Sequence, residues 1–597
     1  MKLFLLYQVL EDDAALPSPQ TTADRLSALF SQVYHGLSEA SIRENRAGTL
    51  IYLTMPVKAC RANFIEEDAE RWVMAPDYPV DASRILASTG VQPRNGSTLP
   101  DLCRELERNP ETRLAELAPP FSLIWSSKDT DEFQVQNDGL GGAQLFEYRS
   151  KGIWALSNRP FAFQALGLRL DPDPVQWAVR WTVRYFVGNI SGFRDVRFLP
   201  AATRIRLKPG KVEHESWDVL SRWVRGPRLD WDDAVELGRE AIEEQVRAGL
   251  ALFEQPHLGM SGGRDSRLLA STLLKQGVSF QGNVRGHPWH PDVILATRLA
   301  EQEGIPLEVR SPGNKLPPDS AEGCREAIRR GLLLFAGGRA ARSYKVSLAG
   351  NRRLRVGSVS LTGHGGEIAH DDHYFDRRWE NRRRSRESDP IFRALMRRIP
   401  FVKRTMQDAV ADEVLRICQE VDRYGLTGGA RFAFAYLCNR QRRFIGSHTA
   451  ARTGLEVMPL QAPGFIQACF SVSAEEKAEY AFHKAILARN KPEWSDIPYA
   501  YEIKQEAEAL KKRMEARELA IHEAEAPSDW KRAEARHAYT NTDYWSSIGW
   551  PLIEACLGRD GFWREIFDPD AARTKWQRAP DELIITDLLP EMAEAKH

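Results

Sequence analysis

The segment Ser261-Gly262-Gly263-Arg264-Asp265-Ser266 constrains this chain more than any other. It follows the apolar Leu258-Gly259-Met260 and runs into Arg267-Leu268-Leu269-Ala270-Ser271-Thr272-Leu273-Leu274, a stretch of helical composition. A strand that turns through paired glycines into a helix presents a row of backbone N–H groups to an anion, and the helix N-terminus adds partial positive charge. Ser261 and Ser266 bring hydroxyl donors, and Asp265 brings a carboxylate suited to a magnesium ion. No Gly-x-x-x-x-Gly-Lys-Ser/Thr occurs in the chain, so this is not the Walker arrangement. Six such residues alone also suit a glycine-rich surface turn. The partners found further along the chain tell against that.

Around this loop the pattern alternates. A long amphipathic helix is expected from Trp231 to Leu252, with Asp232 and Asp233 at its start. A second strand is expected at Ser279–Arg285, a helix at Pro291–Glu303 and a strand at Leu307–Val309. Strands alternating with helices predict a parallel α/β sheet that binds ligands at the strand C-terminal ends. The strand-like Val356–Ser360 leads into a second loop, Leu361-Thr362-Gly363-His364-Gly365-Gly366-Glu367. Its glycine-flanked carboxylate falls where a neighbouring strand of the same sheet would end. Asp265 and Glu367 on adjacent loops form a natural cradle for magnesium. A third segment is Gly454-Leu455-Glu456-Val457-Met458-Pro459-Leu460, and a fourth runs from Lys484-Ala485-Ile486-Leu487 through Pro498 to Lys504. Beyond residue 370 the pattern is mostly helical.

A chain of 597 residues exceeds one ordinary core, so at least two domains are expected, divided near residue 218 into 1–218 and 219–597. The first part reads as short strands and turns: Phe121–Trp125, Phe133–Asn137, Gln144–Tyr148, Gly152–Ser157 and Pro200–Gly210. The opening Met1–Leu10 meets Glu11-Asp12-Asp13 at once and has no small-residue cleavage site, so it reads as a first buried strand rather than a signal peptide. Lysine plus arginine equals aspartate plus glutamate, 82 each, so no global field points to nucleic acid. The seven cysteines are scattered and form no Cys-x-x-Cys pair, which argues against a disulfide framework or structural zinc and suits a reducing cytosol. No run approaches the ~18 apolar residues that span a membrane.

Together these segments carry a resemblance. Ser-Gly-Gly-x-Asp-Ser, then Gly-x-Gly-Gly-Glu, then Gly-Leu-Glu-x-x-Pro-Leu, then Lys-x-Ile-Leu with Lys504 twenty positions after Lys484, is similar to the asparagine synthetase superfamily. The first part fits as well, with Leu145-Phe146, Ala155-Leu156-Ser157-Asn158-Arg159-Pro160, Phe198-Leu199-Pro200 and Trp217. The resemblance implies an α+β Ntn-hydrolase-like sandwich followed by an α/β ATP-pyrophosphatase domain with a helical C-terminal part. It implies ATP and magnesium as cofactors and a carboxylate activated as an acyl-adenylate for attack by an amine. Ser261, Gly262, Gly263, Asp265 and Ser266 would hold pyrophosphate, and Asp265 and Glu367 magnesium. Groups near Met260, Val284, Arg285 and Gly363 would meet the nucleotide, and Lys504 would stabilise negative charge during acyl transfer.

Departures from the family pattern are as instructive. Glutamine-dependent members begin their mature chain with cysteine; here Lys2 follows Met1 and the nearest cysteine is Cys60, so glutamine hydrolysis is expected to be absent. The amine must then come from the substrate, as in the ring-closing β-lactam synthetases and lasso-peptide cyclases. Glu367 replaces the family's aspartate, and His364 stands where asparagine synthetases have glutamate and β-lactam synthetases tyrosine. A histidine titrates near neutrality and suits proton removal from an attacking ammonium, with Glu456 to orient it. The bland alternative is a satisfied loop histidine.

His364, His370, Asp371, Asp372 and His373 permit a transition-metal reading, but no remote further ligand is evident. The arginine-rich stretch 377–404 reads as a solvated face, or as a contact for an acidic peptide, a partner protein or RNA. Segment 503–537 reads as an exposed helix. The expectation is a cytoplasmic ATP-dependent amide ligase most like a lasso-peptide cyclase. It would work on a precursor peptide with a leader peptidase and a leader-binding protein, and without nucleic acid or a membrane span. A β-lactam synthetase-like ring closer and a catalytically inactive nucleotide-binding scaffold are the alternatives.

Overall fold

The apolar run Leu3-Phe4-Leu5-Leu6 is buried on both faces, and period-two alternation explains why. It lies in the strand Lys2–Val9, whose Phe4 and Leu6 join Leu50, Trp72, Ile124, Val135, Trp154 and Ile205 between two sheets. Leu3 and Leu5 point the other way, into the core that also takes Ala23, Leu26 and Phe30 of the helix Pro19–Ser31. The computed structural model describes residues 2–11, 16–91, 98–150, 152–310, 321–336, 358–370, 389–396, 401–451, 453–525, 550–575 and 580–594.

Both sheets are antiparallel with six strands. The first runs, edge to edge, Val196–Phe198, Phe146–Ser150, Ile153–Ser157, Lys2–Val9, Gly48–Thr54, Ser41–Asn45. The second runs Lys211–Ser216, Thr203–Lys208, Phe133–Asn137, Ser122–Ser127, Arg71–Asp77, Ile65–Glu67. With Pro19–Ser31 outside the first and Thr98–Arg108 packed on the second, the layers read helix, sheet, sheet, helix. This is an α+β sandwich. The strand expected from Gln144 starts at Phe146, because Gln144 turns aside to donate to Ser447 Oγ at 3.0 Å.

A third sheet has five parallel strands, in the order Leu307–Arg310, Gln281–Arg285, His257–Gly259, Ser360–Leu361, Glu456–Val457. The chain adds strands to one side of His257–Gly259 and then returns to add the rest on the other. The order therefore reverses between His257–Gly259 and Ser360–Leu361, the place where open parallel sheets bind ligands. The helix expected at Trp231–Leu252 ends at Leu250, since Leu252 leaves it for the core. The strand expected from Ser279 begins at Gln281, where pairing with His257 starts. Of the strand expected at Val356–Ser360, residues 356 and 357 lie outside the described residues, and the paired strand is Ser360–Leu361.

Two buried arginines join the sandwich to the C-terminal half of the chain. From the helix Arg442–Ala451, Arg442 donates to the carbonyls of Gly141 and Leu199, and Arg443 to those of Gly188 and Ile190. Both guanidinium groups lie over the Phe198 ring, at 4.6 and 3.7 Å from its centroid. Burial pushes Arg442 down to about 10. The helix Pro580–Ala593 also returns to the sandwich, where Trp181 Nε1 donates to Thr586 Oγ1 at 3.0 Å. None of the seven cysteines forms a disulfide. Among the described residues no helix is long and apolar enough to cross a membrane.

Candidate functional site

The glycine loop closes on itself through its two serines. Gly263 N–H donates to Ser261 Oγ at 3.1 Å, Ser261 N–H donates to Ser266 Oγ at 3.1 Å, and the two hydroxyls are 2.9 Å apart. The helix Arg264–Lys275 begins immediately, with Gly263 as its cap and, among the described residues, no side chain bonded to the amides of Arg264, Asp265 or Ser266. Those amides and the helix dipole remain available to an anion. Met260 N–H donates to Asn283 O at 2.9 Å, which ties the loop to the neighbouring strand just before Val284 and Arg285. Val284 is buried while Arg285 is exposed.

The second loop packs directly on the first. A Cβ on Gly363 would stand 2.6 Å from Asp265 Cβ and 3.1 Å from Ser266 N, and one on Gly366 would overlap Asp265 Oδ1. Only glycines permit this approach, which brings Asp265 and Glu367 together as the sequence pattern expects. Burial raises Glu367 above the ordinary carboxylate range, and the charge of Asp265 adds to the rise. The Gly365 N–H, 3.2 Å from Glu367 Oε2, and the Tyr436 hydroxyl oppose it. Tyr436 opens a π-helical turn, Tyr436–Gln441, of the kind frequent at functional sites. Lys477, 2 % exposed, donates to the carbonyls of Ile368 at 3.2 Å and Cys469 at 3.0 Å and so anchors the second loop from beneath.

A strap then crosses the glycine loop. Buried Arg267 donates to the carbonyls of Ile497 at 2.6 Å and Pro498 at 2.8 Å, and Ala500 N–H donates to Gly262 O at 3.2 Å. Lys504 follows four residues after Ala500 as the first residue of the helix Lys504–Glu525, with its side chain exposed. The expected helix 503–537 is described only as far as Glu525.

His364 and Glu456 are joined through a residue the sequence pattern does not reveal. His448 Nε2 lies 2.9 Å from His364 Nε2 and 3.2 Å from Glu456 Oε1. The expectation that Glu456 orients His364 directly is thus modified: the intervening imidazole does it. Two facing ring nitrogens need one proton between them. With that proton on His448 Nε2, its single N–H is shared between Glu456 Oε1 and His364 Nε2, and the hydrogen of His364 sits on Nδ1. With it on His364 Nε2, His364 donates to His448 Nε2 and its Nδ1 carries no hydrogen. The pair has one arrangement for donating and one for accepting. Gln461 fixes the backbone here, its Nε2 donating to His364 O at 3.2 Å.

Other expected features separate. His370 is buried against the His483 ring, 5.5 Å between centroids. Asp371, Asp372, His373 and most of 377–404 lie outside the described residues. Among the described residues no group of three or more His, Cys, Asp or Glu could hold a metal ion. Asp265 and Glu367 form a pair, and a pair of carboxylate oxygens fits magnesium, which takes one or two carboxylates and completes its shell with phosphates and water. Sequence reasoning missed His448, His483, Tyr436 and Lys477. Only His483, adjacent to Lys484, lay near a recognised motif.

No family model matches the chain, and no curated protein matches it either. Among solved structures it is similar to one described as the allosteric regulatory enzyme of purine biosynthesis, at 11% identity and a TM-score of 0.26, covering 54% of this chain and 82% of that one. It is also similar to the glutamine phosphoribosylpyrophosphate amidotransferase from B. subtilis complexed with ADP and GMP, at 12% identity and a TM-score of 0.25, covering 62% and 83%. The architecture above rests on the strands themselves.

Proposed function

We propose that this chain is an ATP-dependent, AMP-forming amide ligase that does not hydrolyse glutamine. It would adenylate a side-chain carboxylate of a precursor peptide and close a macrolactam with that peptide's N-terminal amine. One observation carries the reading: the Ser261–Ser266 loop lies at the strand-order reversal, with the Glu367 loop packed on Asp265. The open amides at the start of the helix Arg264–Lys275 suit the phosphates of ATP. Bound magnesium would screen phosphate charge, held by Asp265 and Glu367. Lys504, carried by the strap, would meet the charge that develops when the amine attacks. The His364–His448 pair would take the ammonium proton. Holding acid and amine on one guest makes ring closure intramolecular.

Exchange of labelled pyrophosphate into ATP tests this. Exchange that depends on a candidate peptide carboxylate supports the ligase. Exchange with a small β-amino acid analogue instead assigns small-molecule ring closure. No exchange with any carboxylate overturns the reading in favour of a nucleotide-binding scaffold.

A further inference from the structure

The carboxylate of Asp265 has two oxygens in different surroundings. Oδ1 accepts from His483 Nε2 at 2.8 Å. His483 is 1 % exposed and its other nitrogen, Nδ1, is buried without a hydrogen-bond partner among the described residues. The ring is thus committed to a single polar contact, the one with Asp265. Its helix, Ala481–Asn490, is fixed against the loop helix, since Asn490 Nδ2 donates to Thr272 Oγ1 at 3.1 Å. Gly366 also lies against this oxygen, since any Cβ there would overlap Oδ1. The Asp265 side chain nevertheless keeps 29% of its surface exposed.

We propose that His483 is a positioning residue for Asp265. It holds Oδ1 against the protein and turns Oδ2 alone toward the divalent cation that accompanies the nucleotide. The inference rests on the proposed nucleotide-binding reading and deepens it. A carboxylate free to rotate can chelate with both oxygens, as larger cations accept. One with an oxygen already bonded offers a single ligand, which suits the strict octahedral geometry of magnesium. Partners behind a metal ligand set its orientation and govern metal affinity.

Calorimetric titration of the full chain with Mn2+·ATP, and with ATP in EDTA, tests the assignment. His483→Phe keeps a ring and removes the donor, His483→Asn is polar but too short to reach Oδ1, and His483→Gln keeps a donor in reach. The expected result for His483→Phe and His483→Asn is about 10–100-fold weaker Mn2+·ATP binding with metal-free ATP binding little changed, and for His483→Gln a return to within about threefold of the parent. Thermal melting identifies a variant that fails to fold, and the other truncating variant then carries the test. Unchanged Mn2+·ATP affinity in the folded variants overturns the inference. So does an equal loss with and without metal, which marks a merely structural role. If the parent chain itself binds no Mn2+·ATP, the nucleotide reading falls and takes this inference with it, an outcome visible before any variant is made.

Discussion

His364 and His448 face each other through their Nε2 atoms, 2.9 Å apart, and Glu456 Oε1 lies 3.2 Å from the same His448 nitrogen. Removing either ring should therefore damage the proton-transfer step and leave nucleotide chemistry alone. His364→Ala is expected to retain peptide-dependent pyrophosphate exchange while closing the ring about 10²–10³-fold more slowly. His448→Ala should show a smaller loss of the same kind, since it acts through His364. Closure rates of the two variants that match the parent across pH would remove the pair from the mechanism.

Asp265 and Lys504 serve different steps. Asp265→Ala should abolish both exchange and product. Lys504→Ala should lower product formation by about 10²–10³-fold, the usual cost of one preorganised charge-stabilising group. Circular dichroism and melting should show both variants folded, because Lys504 is exposed and the Asp265 side chain, in the first turn of its helix, is partly exposed. Near-normal product from Lys504→Ala would contradict its role.

Gly363 is required by space. Its added Cβ would stand 2.6 Å from Asp265 Cβ and 3.0 Å from the Asp265 carbonyl carbon, which belongs to helix backbone and cannot swing away. Gly363→Ala should destabilise the protein by about 1–3 kcal/mol through overpacking and separate the two loops. Denaturant titration reads the first effect and ATP binding the second. Wild-type ATP affinity in this variant would show that the loops need not touch.

Acid sensitivity should be traceable in part to the sandwich. Burial raises Glu147, but hydrogen bonds from His214, Trp154 and Arg197 outweigh it and hold the carboxyl down at about 2, against 4.5 for a free one. A group depressed in the folded state stabilises it fully above the unfolded value and loses that contribution as pH falls from about 4.5 through about 2. Glu147→Gln should cost on the order of 2–3 kcal/mol at neutral pH and flatten the stability profile below pH 5. Parallel acid-unfolding curves for parent and variant would refute it.

The local features were legible because they are written in consecutive residues. Glycine pairs before a helical run specify the anion loop around Ser261, and the glycines flanking Glu367 specify the second. Alternating apolar residues specify the strand Phe133–Asn137, and a short continuous apolar run specifies the fully buried strand Ile153–Ser157. Where boundaries shifted, a side chain had found a distant partner, as Gln144 found Ser447.

The sequence by itself determined a strand–glycine–helix anion loop, a second acidic loop and the alternation that makes a parallel sheet, since each depends on neighbours along the chain. Only the tertiary structure decided that the sheet order reverses beside that loop, that His448 stands between His364 and Glu456, and that His483 grips Asp265. Along the chain these histidines read as ordinary buried helix residues. Their partners lie 84 and 218 positions away, and no local pattern encodes a contact made by folding over such a distance.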